Sequence, residues 1–419
     1  MNYTKNEVLQ YIAENDVKFI KLFFTDVFGN TKSISIQPAE LERAFETGIS
    51  FDASAVPGFL NVNESDLFLV PDENTLSILP WRPQHGRVVR FFCNIRYPDG
   101  RPFEGDMRYL LEDTLEKASS NGYEVSIGTE CEFYLFQLDE NGEPTKKPVD
   151  KAGYCDLAPK DKGENVRRSI CLMLEQMGIS PETSHHESGP GQQEVDFRYS
   201  SALTAADNLS TFKTIVSTVA ASNGLYASFN PKPLENEAGN GLHINISVKK
   251  DGKNIFAGTE MSEEAKYFIA GILKHIKEIS LFLNPIQDSY KRLGSHEAPR
   301  FISWSHQNRS QLIRIPAAAN DSIKRIELRS PDPACNQYTV LLLLINAGLD
   351  GIANKLELMP ENDENLYSAA KEVTEKLESL PATFEEAKSI AENSDFINKI
   401  LPKVTMEAFS HFDGIAADL

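Results

Sequence analysis

This sequence of 419 residues is poor in cysteine and has no long apolar segment. Both features limit the classes of protein to which the chain can belong. The five cysteines are scattered, and no two have the CxxC spacing that is typical of redox or zinc sites. An odd number of dispersed cysteines favours a reduced, cytoplasmic setting. The N-terminus shows no apolar signal region, and the longest apolar run, residues 340–345, is far too short to span a membrane.

Positive charge is also scarce, because 42 lysines and arginines face 61 aspartates and glutamates, for a formal net charge of −19. Such a balance argues against general binding to nucleic acid or to an anionic membrane. The chain contains neither a glycine-rich dinucleotide fingerprint nor a Walker A loop, and it has no internal repeat. A hydrophobic content of 41% and a charged content of 25% are ordinary for a soluble globular enzyme.

The pattern of apolar residues predicts an α+β fold with two domains, 1–105 and 106–419. A capping box at Thr4 and Glu7 begins the first helix, and a hairpin follows with strands at 17–24 and 33–36. The first domain is rich in strands, whereas the second should combine a large antiparallel sheet with helices. The predicted helices of the second domain are 109–120, 163–178, 205–224, 262–283 and 336–356, with a charged helical tail from about 364.

The most informative segment carries two carboxylates one residue apart. Residues 127–136 read as a β-strand because they are rich in β-branched and aromatic side chains. Glu130 and Glu132 stand at positions i and i+2, so both side chains point to the same face. Two anions this close in an apolar setting are costly unless something cationic lies between them. A divalent ion is the simplest such cation.

Four further segments place charged or polar side chains together on one face or around one turn. They are residues 187–194 with Glu187 and Glu194, residues 242–248 with His243, Asn245 and Ser247, residues 324–329 with Arg325, Glu327 and Arg329, and residues 290–316 with Arg292, Arg309 and Arg314. Taken singly, each has a structural explanation: a half-exposed strand, a salt-bridged surface, or, for His185 and His186, a hydrogen-bonded pair. Five such segments in one predicted domain favour a shared site.

The chemistry that fits these side chains is phosphoryl transfer. Sites rich in carboxylate oxygen, with a single imidazole, suit Mg²⁺ or Mn²⁺ rather than structural zinc. Arginines stabilise the charge on a phosphoryl group in transfer, and the protein does little covalent work. Because no Walker A loop is present, the sequence does not predict a P-loop enzyme.

These motifs resemble type I glutamine synthetase, and the resemblance runs along nearly the whole chain. The matching motifs are residues 51–59, 65–72, 129–133, 230–233, 297–299, 308–310 and 325–333, together with His243 and Arg292. The resemblance implies a small N-terminal β-grasp-like domain and a large catalytic domain with a curved antiparallel sheet flanked by helices.

The resemblance also implies a role for each matching residue. The implied metal ligands are Glu132, Glu187 and Glu194 for a first ion and Glu130, His243 and Glu327 for a second. The implied substrate-binding residues are Gly239, Arg292, Arg309 and Arg329, of which the last two also act on the phosphoryl group. The implied ATP contacts are Tyr199, Ser247, Arg314 and Arg325. Asp52 would reach the site from a neighbouring subunit and help to deprotonate ammonium there. Glu297 would close over the site.

The implied reaction is the ATP-dependent ligation of ammonia to the γ-carboxylate of glutamate through γ-glutamyl phosphate, giving glutamine, ADP and phosphate. This reaction would require two or more Mg²⁺ or Mn²⁺ ions per site. The family resemblance also implies a cytoplasmic homo-oligomer with active sites between subunits, as a hexameric ring or a double-ring dodecamer, and regulatory protein partners.

Some positions depart from the family pattern and leave alternatives open. Ala55 and Ala238 stand where the family usually has a serine and an asparagine. These smaller side chains would suit a γ-glutamyl ligase that uses a primary amine or a polyamine. A weakly active structural or regulatory relative is the third alternative, although the intact ligand set argues against it. Tyr367 resembles a tyrosine that some members modify, but the motif around it matches poorly.

Overall fold

The structure, a computed structural model, describes residues 3–415. Its first helix begins at the predicted capping box: the Glu7 amide donates to the Thr4 hydroxyl, and the Thr4 amide donates to the Glu7 carboxylate. The N-terminal helices are α1 (Lys5–Glu14) and α2 (Leu41–Thr47). The N-terminal strands are β1 (Val17–Thr25), β2 (Thr31–Ile36), β3 (Ile49–Asp52), β4 (Asp66–Pro71), β5 (Ser77–Ile78) and β6 (Arg87–Arg96).

The N-terminal strands form one mixed sheet in the order β2-β1-β6-β4-β3, with β5 paired to β6. β1 and β2 are the predicted hairpin, and Phe24 lies opposite Lys32 in its antiparallel register. β1 and β6 run parallel, with α2 and four strands between them in the chain. The apolar side chains of β1, β4 and β6 pack with those of α1 and α2 into a small core of their own.

The C-terminal part alternates strands with longer helices. Its strands are β7 (Tyr123–Leu138), β8 (Pro144–Pro148), β9 (Pro181–His186), β10 (Gln192–Phe197), β11 (Ser200–Ser201), β12 (Leu225–Ser228), β13 (Leu242–Lys250), β14 (Lys253–Asn254), β15 (Trp304–His306), β16 (Ile313–Ile315) and β17 (Ile326–Leu328). Its helices are α3 (Met107–Ser120), α4 (Glu164–Gln176), α5 (Ala202–Ser222), α6 (Glu263–Leu283), α7 (Gln287–Arg292), α8 (Gln337–Asn354), α9 (Lys371–Thr374), α10 (Phe384–Glu392), α11 (Asp395–Ile400) and α12 (Lys403–His411).

A large curled sheet organises this part, in the order β15-β16-β17-β13-β7-β10-β9. The pairs are antiparallel except for β15 with β16, so the expected α+β class with a large antiparallel sheet is confirmed. β7 lies at the centre, and its apolar side chains, among them Ile127 and Phe133, join those of α5, α6 and α8 in the main core. Because side chains alternate along a strand, Glu130 and Glu132 point away from that core.

The predicted long helices are confirmed as α4, α5, α6 and α8, with ends that shift by no more than three residues. The predicted helical tail consists instead of short helices, α9 to α12, joined by loops. Helices α6 and α8 cross closely at Gly271, where an added Cβ would lie 2.1 Å from the Ala347 carbonyl oxygen. No helix among residues 3–415 has the length and apolarity needed to cross a membrane.

A buried ionic network joins the N-terminal sheet to the helices of the larger part. Arg108, in the first turn of α3, donates to Asp72 at 2.8 Å and to both oxygens of Asp207 at 3.0 and 2.9 Å. The Tyr338 hydroxyl of α8 donates to Asp207 at 2.7 Å. The apolar core changes from one cluster to the other between Phe103 and Met107, and the domain boundary near residue 105 stays a prediction.

Candidate active site

The strand register brings the predicted carboxylates and imidazole together on one face of the large sheet. His243 of β13 lies directly opposite Glu130 of β7, and Glu194 of β10 lies directly opposite Glu132. Glu327 lies on β17, which pairs with the other edge of β13. The polar face of β7 is therefore flanked by Glu194 on one side and by His243, with Glu327 on the next strand, on the other.

One group of donors consists of Glu130, His243 and Glu327, each with a ligand atom within 4.8 Å of the others. The Nδ1 atom of His243 lies 3.2 Å from Oε2 of Glu130 and 3.6 Å from Oε1 of Glu327. His243 and Glu327 are buried, and Glu130 is half-buried. This is the set that the sequence assigns to the second ion.

A second group consists of His185, Glu187 and Glu194, again with ligand atoms within 4.8 Å of one another. β9 and β10 form the expected hairpin, and its turn brings Glu187 back towards Glu194. The Nε2 atom of His185 lies 2.7 Å from Oε1 of Glu187. Glu132 lines the same cavity as Glu187, and its Oε2 accepts from the Gly241 amide at 2.7 Å.

His185 is not among the predicted ligands, because the sequence analysis interprets His185 and His186 together as a structural pair. His186 is fully buried, with Nε2 3.0 Å from Asp150 and Nδ1 2.7 Å from the Glu187 carbonyl oxygen, so the expected structural role holds for that residue. His185 instead shares a face with Glu187, two positions along the chain. That i, i+2 spacing, the same as in Glu130 and Glu132, is the signal that could have identified it.

The electrostatics of these carboxylates indicate a shortage of positive charge. Burial, followed by repulsion from Glu187, raises the pKa of Glu132 to about 7. Burial, with repulsion from Asp196, Glu132 and Glu187, raises the pKa of Glu194 well above its ordinary value. Glu130 differs, because hydrogen bonds from His243 and Asn245 outweigh its burial and lower its pKa to about 2.

These observations fit a site for divalent cations. Carboxylate oxygens with one or two imidazoles match the ligand preference of Mg²⁺ and Mn²⁺. A third group, Asp150, Asp161 and His186, is also close enough to hold an ion. There, however, both Asp161 oxygens already accept from the buried Arg167, at 3.3 and 2.7 Å, so that negative charge has a cationic partner.

Arginines surround the acidic groups. Arg314 and Arg329 both donate to Glu327, the latter at 2.7 Å. Arg292 is buried and donates to the Ser330 carbonyl oxygen at 2.8 Å, at the wall of the cavity that also contains Glu132, His243 and Arg329. Gly239 lines this cavity too, and a Cβ there would lie 2.3 Å from the Pro231 carbonyl oxygen and 2.9 Å from the Arg292 side chain. A glycine is therefore required at this position.

A second cavity opens on the other side of Glu130 and brings together three of the four predicted ATP contacts. Tyr199, Ser247 and Arg325 line it. Arg325 donates to Asn245 Oδ1 at 2.8 Å, and Asn245 Nδ2 donates to Glu130 at 2.9 Å, so hydrogen bonds connect this cavity to the first donor group. The fourth predicted contact, Arg314, does not line the cavity but lies against Glu327.

The remaining predicted residues lie at the edges of the site or away from it. Glu297 lines the cavity beside Arg292 and Arg329, on an exposed loop after α7. Arg309 is exposed, and its carbonyl oxygen accepts from the Tyr367 hydroxyl at 2.7 Å. Asp52 is exposed at the end of β3, accepts from the Ser54 hydroxyl at 2.6 Å, and does not line the cavity of its own chain.

Two contributors are absent from the sequence prediction. Gln192 donates to Glu132 at 3.1 Å and to the Gly239 carbonyl oxygen at 3.1 Å, which links the acidic strand to the glycine loop. Tyr154 is 62% exposed and places the edge of its ring against His185, with ring centroids 5.3 Å apart. Gln192 lies two positions before Glu194 on β10, so the same i, i+2 spacing could have identified it, whereas Tyr154 lies in a loop that has no periodic pattern.

Comparison with known proteins assigns the family and the fold. A family model described as the glutamine synthetase catalytic domain matches residues 104–414, and one described as the glutamine synthetase β-grasp domain matches residues 16–98. The chain belongs to the glutamine synthetase family. The expected N-terminal β-grasp domain and catalytic domain with a curled sheet are thereby confirmed.

Individual relatives are similar to this chain over nearly their whole length. A glutamine synthetase of Methanosarcina mazei is 46% identical over 98% of this chain and 92% of that protein. A solved complex of GmaS with ADP has a TM-score of 0.88 and 29% identity, covering 98% of this chain and 94% of that chain. The glutamine synthetase of Plasmodium falciparum has a TM-score of 0.85 and 28% identity, covering 98% of this chain and 95% of that chain.

The chain catalyses the ATP-dependent formation of glutamine from glutamate and ammonia, which is the activity of a glutamate–ammonia ligase. The alternative of a γ-glutamyl ligase for larger amines is not favoured by these relatives. Membership in the family also implies the use of ATP and of a divalent metal, for which the two acidic groups offer ligands.

Proposed function

We propose that the two acidic groups hold one divalent ion each, most simply Mg²⁺. Glu132, Glu187 and Glu194 would hold the first ion, with the His185 ring orienting the Glu187 carboxylate. The second ion would be held by Glu130, His243 and Glu327. When bound, such ions neutralise phosphate charge and draw electron density from the phosphorus that is attacked.

The protein side chains then have separable tasks. Arg292 and the Gly239 loop form the wall on which glutamate binds, and the Tyr199, Ser247 and Arg325 cavity takes the nucleotide. A γ-carboxylate oxygen of glutamate attacks the γ-phosphorus of ATP, and ADP leaves. Arg329, beside Glu327, and Arg309 supply positive charge to the phosphoryl group during this transfer.

In the second step the nitrogen of ammonia bonds to the acyl carbon of γ-glutamyl phosphate. The bond from that carbon to the phosphate oxygen breaks, phosphate leaves with the electron pair, and the nitrogen loses a proton. We assign Asp52 and Glu297 to the handling of ammonium and its proton, with Glu297 on the loop that closes the cavity. Closure matters because water would otherwise hydrolyse the acyl phosphate.

Asp52 supports a site that is completed between subunits. Its carboxylate is exposed and does not line the cavity of its own chain, as expected of a residue that serves the site of another copy. We propose a closed homo-oligomeric ring, as a hexamer or as a double-ring dodecamer. All five cysteines are free of disulfides, which supports a reduced, cytoplasmic compartment. Regulation by other proteins belongs to the same proposal.

The observation that carries these roles is the convergence of Glu130, His243 and Glu327 from three strands within 4.8 Å. Phosphate release is measured with glutamate, ATP and Mg²⁺, with ammonium and with a series of primary amines. We expect turnover that depends on ammonium, lost by about a hundredfold or more in Glu327→Gln. The matched control is Glu112→Gln, a half-buried glutamate hydrogen-bonded to Asn94, which should keep parental turnover. Turnover with amines alone, or an active Glu327→Gln, contradicts the assignment.

A further inference from the structure

Residues 361–367 form a strap beside the active site. The strap runs along residues 304–311 and is fixed to them by hydrogen bonds: Asn308 Nδ2 donates to the Glu364 carbonyl oxygen at 3.0 Å, and the Leu366 amide donates to Ser310 Oγ at 2.9 Å. Leu366 is buried, so the strap is anchored by packing as well as by hydrogen bonds. The backbone that leads to Tyr367, the last residue of the strap, is therefore held in place.

The Tyr367 hydroxyl meets two loops of the site at once. Its oxygen lies 2.5 Å from the Glu297 carbonyl oxygen and 2.7 Å from the Arg309 carbonyl oxygen. Arg329 Nη2 also donates to the Glu297 carbonyl oxygen, at 3.4 Å. A phenol carries a single proton, so the two carbonyl oxygens share one donor and are held close to each other.

The loop with Glu297 needs such an anchor. It follows α7, and both Gly294 and His296 have positive φ, at 77° and 48°. Positive φ is uncommon for a residue with a side chain, so His296 places the loop in a conformation that a free chain would rarely adopt. Glu297 itself is exposed. The loop is thus a surface segment whose backbone is fixed from the strap and from Arg329.

We propose that Tyr367 is a positioning residue that fastens the Glu297 loop to the Arg309 loop and so keeps water away from γ-glutamyl phosphate. The inference rests on the proposed roles of Glu297 and Arg309. Tyr367 acts through these two residues, because its hydroxyl contacts their backbones while their side chains serve the site.

The consequence is a choice between two nucleophiles. When ammonia attacks, a C–N bond forms, the acyl C–O bond breaks, and glutamine and phosphate leave. When water attacks, a C–O bond forms at the same carbon, the bond to phosphate breaks, and glutamate is regenerated with loss of one ATP. A loop that is no longer fastened admits water, so ADP is formed in excess of glutamine.

The test is Tyr367→Phe in the full-length, assembled enzyme, with ADP and glutamine measured in the same reaction. The parent should form one ADP per glutamine. We expect the variant to form several ADP per glutamine at low ammonium, a ratio that falls as ammonium rises. The KM for ATP should not change, because the nucleotide cavity lies elsewhere. Tyr123→Phe, which removes a hydroxyl that donates to Glu264 far from the loop, is the matched control and should keep the parental ratio.

A second measurement needs no catalysis. Amide hydrogen exchange of residues 293–299 should accelerate by about tenfold in Tyr367→Phe, as for the loss of one hydrogen bond, and should not change in Tyr123→Phe. A variant that retains both the parental ratio and the parental exchange overturns the role of Tyr367. Faster exchange throughout the chain, with all kinetic constants lowered together, also overturns it, since that marks a general structural defect. If the parent forms no glutamine, the proposed function fails, but exchange still decides the anchoring.

Discussion

Glu132 and Glu194 lie directly opposite each other on the antiparallel strands β7 and β10. Like charges at such cross-strand positions are destabilising, and here Glu194 is buried and Glu132 is half-buried. A fold that places two carboxylates in register gains stability from a cation between them or from a proton on one of them. Because the pKa of Glu132 is raised to about 7, a proton on this carboxyl group competes with a cation near neutral pH.

Binding of Mg²⁺ to the metal-free protein should therefore release protons. An ion needs the ionised carboxylate, whereas the metal-free site keeps Glu132 protonated below its raised pKa, so affinity should fall as the pH drops through about 7. Isothermal titration calorimetry in two buffers of different ionisation enthalpy gives the proton count. At pH 7, Glu132→Gln should reduce the release by about half a proton per site.

The control for this experiment is Glu112→Gln, which should leave both the proton count and its pH dependence unchanged. A parent that binds Mg²⁺ with the same affinity from pH 6 to 8, without proton release, would exclude Glu132 as a ligand whose proton is displaced.

A chain that lacks Asp52 should be complemented by an intact Asp52 from a neighbouring subunit. Asp52→Ala should raise the ammonium concentration needed for half-maximal turnover, because the exposed carboxylate is proposed to serve a neighbouring site. Mixing Asp52→Ala with the inactive Glu327→Gln, under conditions that exchange subunits, should restore activity at low ammonium concentrations, where Asp52→Ala alone turns over slowly. In a random equal mixture about a quarter of the sites would combine an intact catalytic domain with an intact neighbour.

The matched control for complementation is a mixture of Arg329→Ala with Glu327→Gln, since both residues lie in one cluster of the same chain. That mixture should regain nothing. Equal silence from the mixture containing Asp52→Ala, after mixed oligomers have been verified by mass spectrometry, would show that Asp52 does not act across subunits.

The buried network at Arg108 should dominate the coupling between the two parts of the chain. Arg108→Ala leaves Asp207 and Asp72 without their guanidinium, and loss of one partner of a buried ion pair typically costs about 3–5 kcal/mol. Denaturant unfolding of the assembled protein measures this change. Arg43→Ala breaks an exposed pair with Glu40 and should cost less than about 1 kcal/mol. Similar losses in the two variants would refute a special role for Arg108.

Much of the fold and several site residues were accessible from local pattern. The alternation in residues 127–136 predicts a strand with Glu130 and Glu132 on one face, and β7 confirms it. The Thr4 and Glu7 capping box predicts the start of α1, which the structure also confirms. These features depend on neighbours a few residues apart, so the sequence contains all that is needed to predict them.

Other features depend on which strands become neighbours, and strand pairing cannot be predicted from a local sequence pattern. The pairing of Glu194 with Glu132 depends on the register between strands whose paired residues lie 62 positions apart in the chain. Arg314 could be recognised as a candidate cation, but its attachment to Glu327 follows from the pairing of β16 with β17. Tyr367 meets Glu297 across 70 residues of chain.

By itself the sequence determined the α+β class, the main helices, the acidic and basic residue types and the family resemblance, because periodicity, caps and ordered motifs are local properties. Only the tertiary structure decided which strands bring the donors within 4.8 Å of one another, that His185 joins one group, and that the Tyr367 hydroxyl contacts two loops. The physical reason is that charge, desolvation and hydrogen bonding act through space over a few ångströms. Separation along the chain does not determine which groups come that close.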